Sequence, residues 1–162
     1  EGSTFSFTIQ TKINGDQKRS KPVKKIAPAI LKSEHTKSRS MKILLVEDNR
    51  VNQMVARGLL KKLGYSSIDV ANNGIEALEA LSNKEYNLVL MDCQMPEMDG
   101  FEATQKIREL NSGMSGVPII AMTANARKTD FESCLKAGMN DFISKPIDKK
   151  RVLTVLQKYF TE

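Results

Sequence analysis

The chain has 162 residues and a net charge of +6, which is enough length for one domain with a sizeable core and some additional segments. Residues 41–162 carry 16 basic and 16 acidic side chains and are therefore neutral. The excess of positive charge lies in residues 12–40, which contain nine basic residues, two acidic residues and no aromatic residue. This distribution favours a solvated spacer over a nucleic-acid interface, because no aromatic residue is present for base stacking. No apolar run approaches transmembrane length, and two cysteines without a CxxC pair indicate free thiols in a reducing cytoplasm.

Two segments, residues 1–11 and 12–40, precede the part of the chain in which strands and helices are predicted to alternate. In residues 3–9, STFSFTI, the apolar residues alternate, which predicts a half-buried strand. With Gly2, this stretch resembles the last strand of histidine-kinase ATP-binding domains, so residues 1–11 are interpreted as a remnant of such a domain. Residues 12–40 predict a basic flexible linker, in which the single histidine, His35, is interpreted as an ordinary solvated side chain.

From Met41 onward, short apolar runs alternate with amphipathic stretches. The predicted strands are residues 43–46, 68–71, 88–91, 117–122 and 141–144. The predicted helices are residues 51–63 with Asn49 as N-cap, 75–81, 101–110, 131–137, and a last helix that Asp148 caps. Five β-α units in succession predict an α/β fold, a doubly wound parallel sheet with right-handed crossovers.

Polar side chains follow the predicted strands where each strand ends: Glu47 and Asp48, Asp92, Thr123 and Lys145. Open α/β folds place their ligands at this edge of the sheet. Three carboxylates in one crevice repel one another unless a cation lies among them, and oxygen-only ligands favour Mg²⁺. A lysine and a hydroxyl suit a tetrahedral dianion. The pattern therefore predicts a carboxylate that accepts a phosphoryl group.

Residues 41–162 resemble response-regulator receiver domains through the motifs LLVEDN, LMDCQMPEMDG, MTA and ISKP. The resemblance implies a (βα)5 flavodoxin-like fold with strand order 2-1-3-4-5. It also implies that Asp92 is the phosphoacceptor. Mg²⁺, or Mn²⁺ in its place, would be held by Asp48, Asp92 and the backbone carbonyl of Gln94, with Glu47 contributing through water.

The same resemblance assigns further roles around the acceptor. Thr123 would bond the phosphoryl oxygens, and Lys145 would form an ion pair with them. The Lys145–Pro146 peptide bond is expected to be cis, a conformation that proline permits. Phe142 lies at the position of the family's switch aromatic, with an ordinary core phenylalanine as the alternative interpretation.

A kinase-like strand and a linker before a receiver, with no output domain after it, predict the receiver of a hybrid histidine kinase. Such a receiver takes phosphate from the histidine kinase core and passes it to a histidine phosphotransfer domain. The fragment would catalyse at most its own phosphorylation and dephosphorylation, while the parent would be a phosphotransferase, with membrane anchoring left open. We expect the fragment to be cytoplasmic, not membrane-bound, and a monomer or weak dimer.

The predicted docking face comprises partly exposed apolar residues that ring the charged site: Val51, Met54, Pro146 and Ile147. Val55 is instead expected to pack internally. The first alternative is a stand-alone response regulator that acts by phosphorylation-dependent partner binding. A phosphohydrolase is disfavoured because Gln94 stands where a second acidic residue is needed, and a flavodoxin-like cofactor binder because no phosphate-binding loop follows the first strand.

Overall fold

The apolar runs form strands because a parallel sheet covered by helices buries both faces of each strand. The computed structural model describes residues 41–110, 112–124 and 128–160. The strands are β1 (Lys42–Val46), β2 (Ser67–Ala71), β3 (Leu88–Asp92), β4 (Ile119–Thr123) and β5 (Asp141–Ser144). They pair in parallel in the order β2-β1-β3-β4-β5. The predicted doubly wound sheet and its strand order are confirmed. The predicted remnant strand of residues 1–11 and the linker of residues 12–40 lie outside the described residues.

Five helices connect and follow the strands. They are α1 (Arg50–Lys62), α2 (Gly74–Asn83), α3 (Gly100–Arg108), α4 (Lys128–Ala137) and α5 (Lys149–Phe160), with a short 3₁₀ helix at Gly113–Gly116. Asn49 caps α1 as predicted, since its side-chain oxygen accepts hydrogen bonds from the backbone amides of Val51 and Asn52. Among the described helices, each is too short or too polar to cross a membrane.

The helices cover the sheet in two layers, with one hydrophobic core on each side. Side chains of α1 and α5, including Leu60 and Leu156, pack against one face of the sheet. Side chains of α2, α3 and α4, including Leu81 and Ile107, pack against the other. Successive residues of β1 alternate between the two cores. The carboxyl ends of the strands are thereby left open between the two helical layers.

Several predicted element boundaries are wrong: the second helix ends at Asn83, not at residue 81, and the fourth begins at Lys128, not at residue 131. Two further errors have a local cause. The fourth strand begins at Ile119, not at residue 117, after Pro118, which has no N–H to donate to a neighbouring strand. The third helix ends at Arg108, not at residue 110. The Arg108 guanidinium donates to the carbonyl oxygens of Ser115 and Val117 at 2.7 and 2.9 Å, and so ties the end of α3 to the turn that follows.

Candidate functional site

The predicted site residues come together at the carboxyl edge of the sheet. Asp92 and Thr123 are the last residues of the adjacent strands β3 and β4. Glu47 and Asp48 directly follow β1, which pairs with the other side of β3. Lys145 directly follows β5, and its peptide bond to Pro146 is cis, as predicted. Residues far apart in sequence therefore meet because their strands are neighbours.

The central contact is a buried cluster of one ammonium and two carboxylates. The Lys145 Nζ atom donates to Glu47 Oε2 at 2.7 Å and to Asp92 Oδ2 at 2.5 Å. Glu47 is 1% exposed and Asp92 is 5% exposed, so neither carboxylate is solvated as a surface group would be. Burial of a carboxylate requires a paired charge or hydrogen-bond donors, and Lys145 supplies both to each of them.

The charge state of Lys145 follows from this contact. Burial by itself lowers the pKa of its ammonium, but the hydrogen bonds to Asp92 and Glu47 outweigh burial and raise the pKa above its usual value. Lys145 is therefore a charged donor at neutral pH. It lies where a negatively charged group attached to Asp92 would need a counter-charge.

The acidic residues also fit a divalent cation. Glu47, Asp48 and Asp92 each offer one carboxylate oxygen, and these oxygens all lie within 4.8 Å of one another. Asp48 is exposed to solvent, unlike the other two. A set of oxygen-only donors, one of which is open to water, suits a hard ion such as Mg²⁺. Gln94 follows closely, and its backbone N–H donates to Asp92 Oδ1 at 3.2 Å.

A cavity of about 170 Å³ opens beside the Asp92 carboxylate. Its lining includes Asp92, Gln94, Thr123 and Lys145, together with Cys93, Phe101, Ala124 and Cys134. The acceptor candidate, a hydroxyl and an ammonium thus border a single space. A tetrahedral anion attached to Asp92 would meet donors there that match its charge.

Two residues that were not predicted from the sequence donate hydrogen bonds to Glu47. The side-chain amide of Asn52 donates to Glu47 Oε1 at 2.9 Å, and that of Gln53 donates to the Glu47 main-chain oxygen at 2.6 Å. Both residues lie in the first turn of α1. In the sequence, these residues are marked only as two amide side chains shortly after the acidic pair. Amide side chains are equally common on the exposed surface of a helix, so this pattern does not predict a contact with Glu47.

Phe142 does not line the cavity beside Asp92. Its half-buried ring packs against Phe131, with 5.2 Å between ring centroids, and the Arg151 guanidinium lies 5.1 Å from its centroid. Arg151 also donates to the Phe142 carbonyl oxygen at 2.9 Å. The structure therefore places this aromatic side chain between α4 and α5, and its role as a switch remains a prediction.

Two of the predicted docking residues, Val51 and Met54, are exposed on α1, whereas Pro146 and Ile147 lie in the segment between β5 and α5. Val51 is 67% exposed and Met54 is 74% exposed, while Pro146 is exposed and Ile147 is half-buried against the core beneath α1 and α5. The prediction that Val55 packs internally is wrong, because α1 turns its side chain outward and leaves it 55% exposed.

The chain resembles known proteins over the part that carries this site. Residues 43–157 match the family described as the response regulator receiver domain. The chain is 50% identical over 127 residues to hybrid signal transduction histidine kinase B of Dictyostelium discoideum, in an alignment covering 72% of the chain and 6% of that protein. The chain spans less than a fifth of the length of the first curated relatives it matches.

Two solved structures share the fold. One is the receiver domain of the sensor histidine kinase PA1611 of Pseudomonas aeruginosa, with a magnesium ion coordinated in its active site cleft. It is 43% identical, with a TM-score of 0.69, and the match covers 75% of this chain and 98% of that chain. The other is the receiver domain of the Saccharomyces cerevisiae response regulator Ssk1, solved with the histidine phosphotransfer protein Ypd1. It is 28% identical, with a TM-score of 0.67, and the match covers 74% of this chain and 88% of that chain.

Proposed function

This chain belongs to the family of response regulator receiver domains, and on that basis we propose that it carries one step of a phosphorelay. Asp92 accepts a phosphoryl group from a phosphohistidine and passes it to a histidine phosphotransfer partner. The observation that carries this proposal is the buried contact of Asp92 with Lys145 at the edge of an oxygen-rich acidic cluster. Residues 41–162 are the receiver domain in this proposal, with residues 1–11 a kinase remnant and 12–40 a linker.

The proposed reaction is a phosphoryl transfer between two side chains. A carboxylate oxygen of Asp92 attacks the phosphorus atom of the phosphohistidine, and the P–N bond breaks as the P–O bond forms. The imidazole leaves with the electron pair and takes up a proton, so the products are a neutral histidine and an aspartyl phosphate. Onward transfer repeats the exchange in the opposite sense, with the imidazole of the partner as the attacking group.

The residues around Asp92 have distinct tasks in that reaction. The Lys145 ammonium, which already contacts Asp92, pairs with the negative oxygens of the transferred group. The Thr123 hydroxyl, which borders the same cavity, hydrogen-bonds those oxygens. Glu47, Asp48, Asp92 and the Gln94 main-chain carbonyl would hold Mg²⁺. A bound Mg²⁺ supplies further neutralisation of the phosphoryl oxygens.

The partners are proposed from the relatives and from the exposed surface of α1. The similarity to a hybrid histidine kinase supports a parent chain with a histidine kinase core. The complex of the Ssk1 receiver with Ypd1 supports a histidine phosphotransfer protein as the next partner. Val51 and Met54, apolar and exposed beside the acidic cluster, suit a transient interface with such a protein.

The test is transfer from a protein donor. A purified histidine phosphotransfer protein, phosphorylated on its histidine, is mixed with the chain in the presence of Mg²⁺, and the phosphate on each protein is followed over time. We expect the native chain to take up the phosphate and Asp92→Asn not to. Met54→Glu should slow the transfer, whereas Ile75→Glu, which changes an exposed apolar residue of α2 on the other side of the sheet, should not. Retention of all phosphate on the donor would contradict the proposal.

A further inference from the structure

The two oxygens of the buried Glu47 carboxylate have different partners. Oε2 accepts from the Lys145 ammonium at 2.7 Å and so faces the side of the acceptor Asp92. Oε1 accepts from the side-chain amide of Asn52 at 2.9 Å and, over a longer distance of 3.3 Å, from the backbone N–H of Asn49. The carboxylate plane is therefore fixed from both ends.

The Asn52 side chain, which donates to Glu47 Oε1, is held in place by helix α1. Asn52 lies in the first turn of α1, and its backbone N–H donates to the capping side chain of Asn49 at 3.3 Å. The neighbouring Gln53 amide holds the main-chain oxygen of Glu47 at 2.6 Å and also donates to Asn72 Oδ1 at 3.0 Å. Both the main chain and the side chain of Glu47 are thus tied to the start of α1.

Loss of the Asn52 amide would leave Oε1 with only the longer bond from Asn49. The terminal torsion of a glutamate is broad, so a carboxylate with one end released rotates readily. Rotation would change which oxygen faces Asp92 and would spread the positions of the three carboxylate oxygens that now lie within 4.8 Å of one another. A cation held among those oxygens depends on their arrangement.

We propose that Asn52 is a positioning residue for the cation site: its amide orients the Glu47 carboxylate, which in turn faces Asp92. This inference rests on the proposed function, because it concerns the same acidic cluster. Side chains that orient a ligand without touching the metal commonly change metal affinity by ten- to a hundredfold when removed. Asn52 has that relationship to Glu47, through a single hydrogen bond of 2.9 Å.

The experiment is calorimetric titration of the purified chain with Mg²⁺ alone. No phosphodonor and no protein partner are present, so an effect of Asn52 on docking cannot enter the result. We expect Asn52→Ala to weaken Mg²⁺ binding by about tenfold. Alanine is the better helix former at this position, so the variant should fold, which circular dichroism checks. The matched control is Asn83→Ala, because the Asn83 amide donates only to the Glu79 main-chain oxygen on the exposed surface of α2. It should bind Mg²⁺ as the native chain does.

A double-mutant cycle distinguishes positioning from a general structural effect. In a Glu47→Ala background, Asn52 has no carboxylate to orient, so Asn52→Ala should change Mg²⁺ binding by less than about twofold. Native affinity in Asn52→Ala, or the same tenfold loss with and without Glu47, would overturn the inference while leaving the proposed function standing. Absence of Mg²⁺ binding by the native chain would instead overturn both.

Discussion

Gly100 packs directly against the main-chain carbonyl of Asp92, so closely that a Cβ atom at position 100 would overlap the carbonyl oxygen. Gly100 is the first residue of α3, and its N–H donates to the Cys93 carbonyl at 3.2 Å. The start of one helix is therefore pressed against the strand end that carries Asp92. Only glycine allows this approach, since both contacting groups are backbone and cannot move aside.

Gly100→Ala should destabilise the fold and impair phosphorylation together. Insertion of a methyl group there must displace either α3 or the end of β3, and overpacking of this kind costs about 1–3 kcal/mol. Urea denaturation measures the loss. The control is Gly58→Ala in α1, where nothing lies within 4 Å of the added Cβ. That change should stabilise the chain by about 0.5–1 kcal/mol. Equal stability of the two variants would refute the packing argument.

Removal of the Lys145 ammonium should destabilise the chain most when no divalent cation is present. Lys145→Ala leaves the buried carboxylates of Glu47 and Asp92 without the donor that now contacts both. The expected cost without Mg²⁺ is on the order of 2 kcal/mol, below the roughly 3–5 kcal/mol of a fully buried pair because Lys145 is partly exposed. Thermal unfolding should be followed with and without Mg²⁺. The difference in melting temperature between Lys145→Ala and the native chain should become smaller when the cation is added. A gap that is independent of Mg²⁺ would show that the ion and the ammonium do not share these carboxylates.

Tyr86 should ionise late in an alkaline titration. The Tyr86 side chain is buried, and its hydroxyl donates to Asp69 Oδ2 at 2.8 Å; burial, reinforced by that bond, raises the pKa of Tyr86 to about 12. The neutral phenol is thus favoured in the folded state. Its contribution to stability is complete below the ordinary tyrosine pKa and is lost as pH rises through about 12.

Tyrosinate absorbance is followed during an alkaline titration of the native chain and of Tyr86→Phe. The difference between the two curves gives the ionisation of Tyr86 alone. Asp69→Asn should lower the pKa of Tyr86 only in part, because burial is the larger cause and persists in that variant. Ionisation of Tyr86 at the ordinary pKa of tyrosine in the folded chain would contradict the structure.

The two thiols should resist alkylation until the chain unfolds. Cys93 and Cys134 are both buried thiols, and burial raises the pKa of the Cys93 thiol, so little reactive thiolate forms there near neutral pH. Intact mass after treatment with iodoacetamide should show an unmodified native chain and two adducts in denaturant. An engineered Ser82→Cys on the exposed surface of α2 is the positive control. Rapid native-state labelling of Cys93 would mean that the wall of the cavity opens readily.

The parallel sheet could be predicted because β1, β3 and β4 are apolar runs with polar residues at their ends, whereas the strand order was implied by the resemblance to receiver domains. Periodicity identifies such runs, and parallel topology then brings Glu47, Asp92, Thr123 and Lys145 to one edge without any knowledge of side-chain contacts. Asn52 could not be identified this way. Its contact with Glu47 depends on the direction in which α1 leaves β1, and the sequence carries no local signal for that direction.

The orientation of side chains on helices was the least predictable feature. Val55 resembles a core residue in an apolar stripe, yet the rotation of α1 that buries Ala56 and Leu60 turns it outward. Phe142 likewise takes its position from Phe131 and Arg151, which belong to two other elements. Such contacts join residues that are distant in sequence, so they appear only once the layers are assembled.

The most direct test of the central claim is the intact mass of the chain after incubation with acetyl phosphate and Mg²⁺. The native chain should gain one phosphate, and prior chelation of Mg²⁺ should prevent the gain. Asp92→Asn should gain none under the same conditions. A native chain that gains no phosphate, or an adduct that persists in Asp92→Asn, would contradict the assignment of Asp92 as the phosphoacceptor.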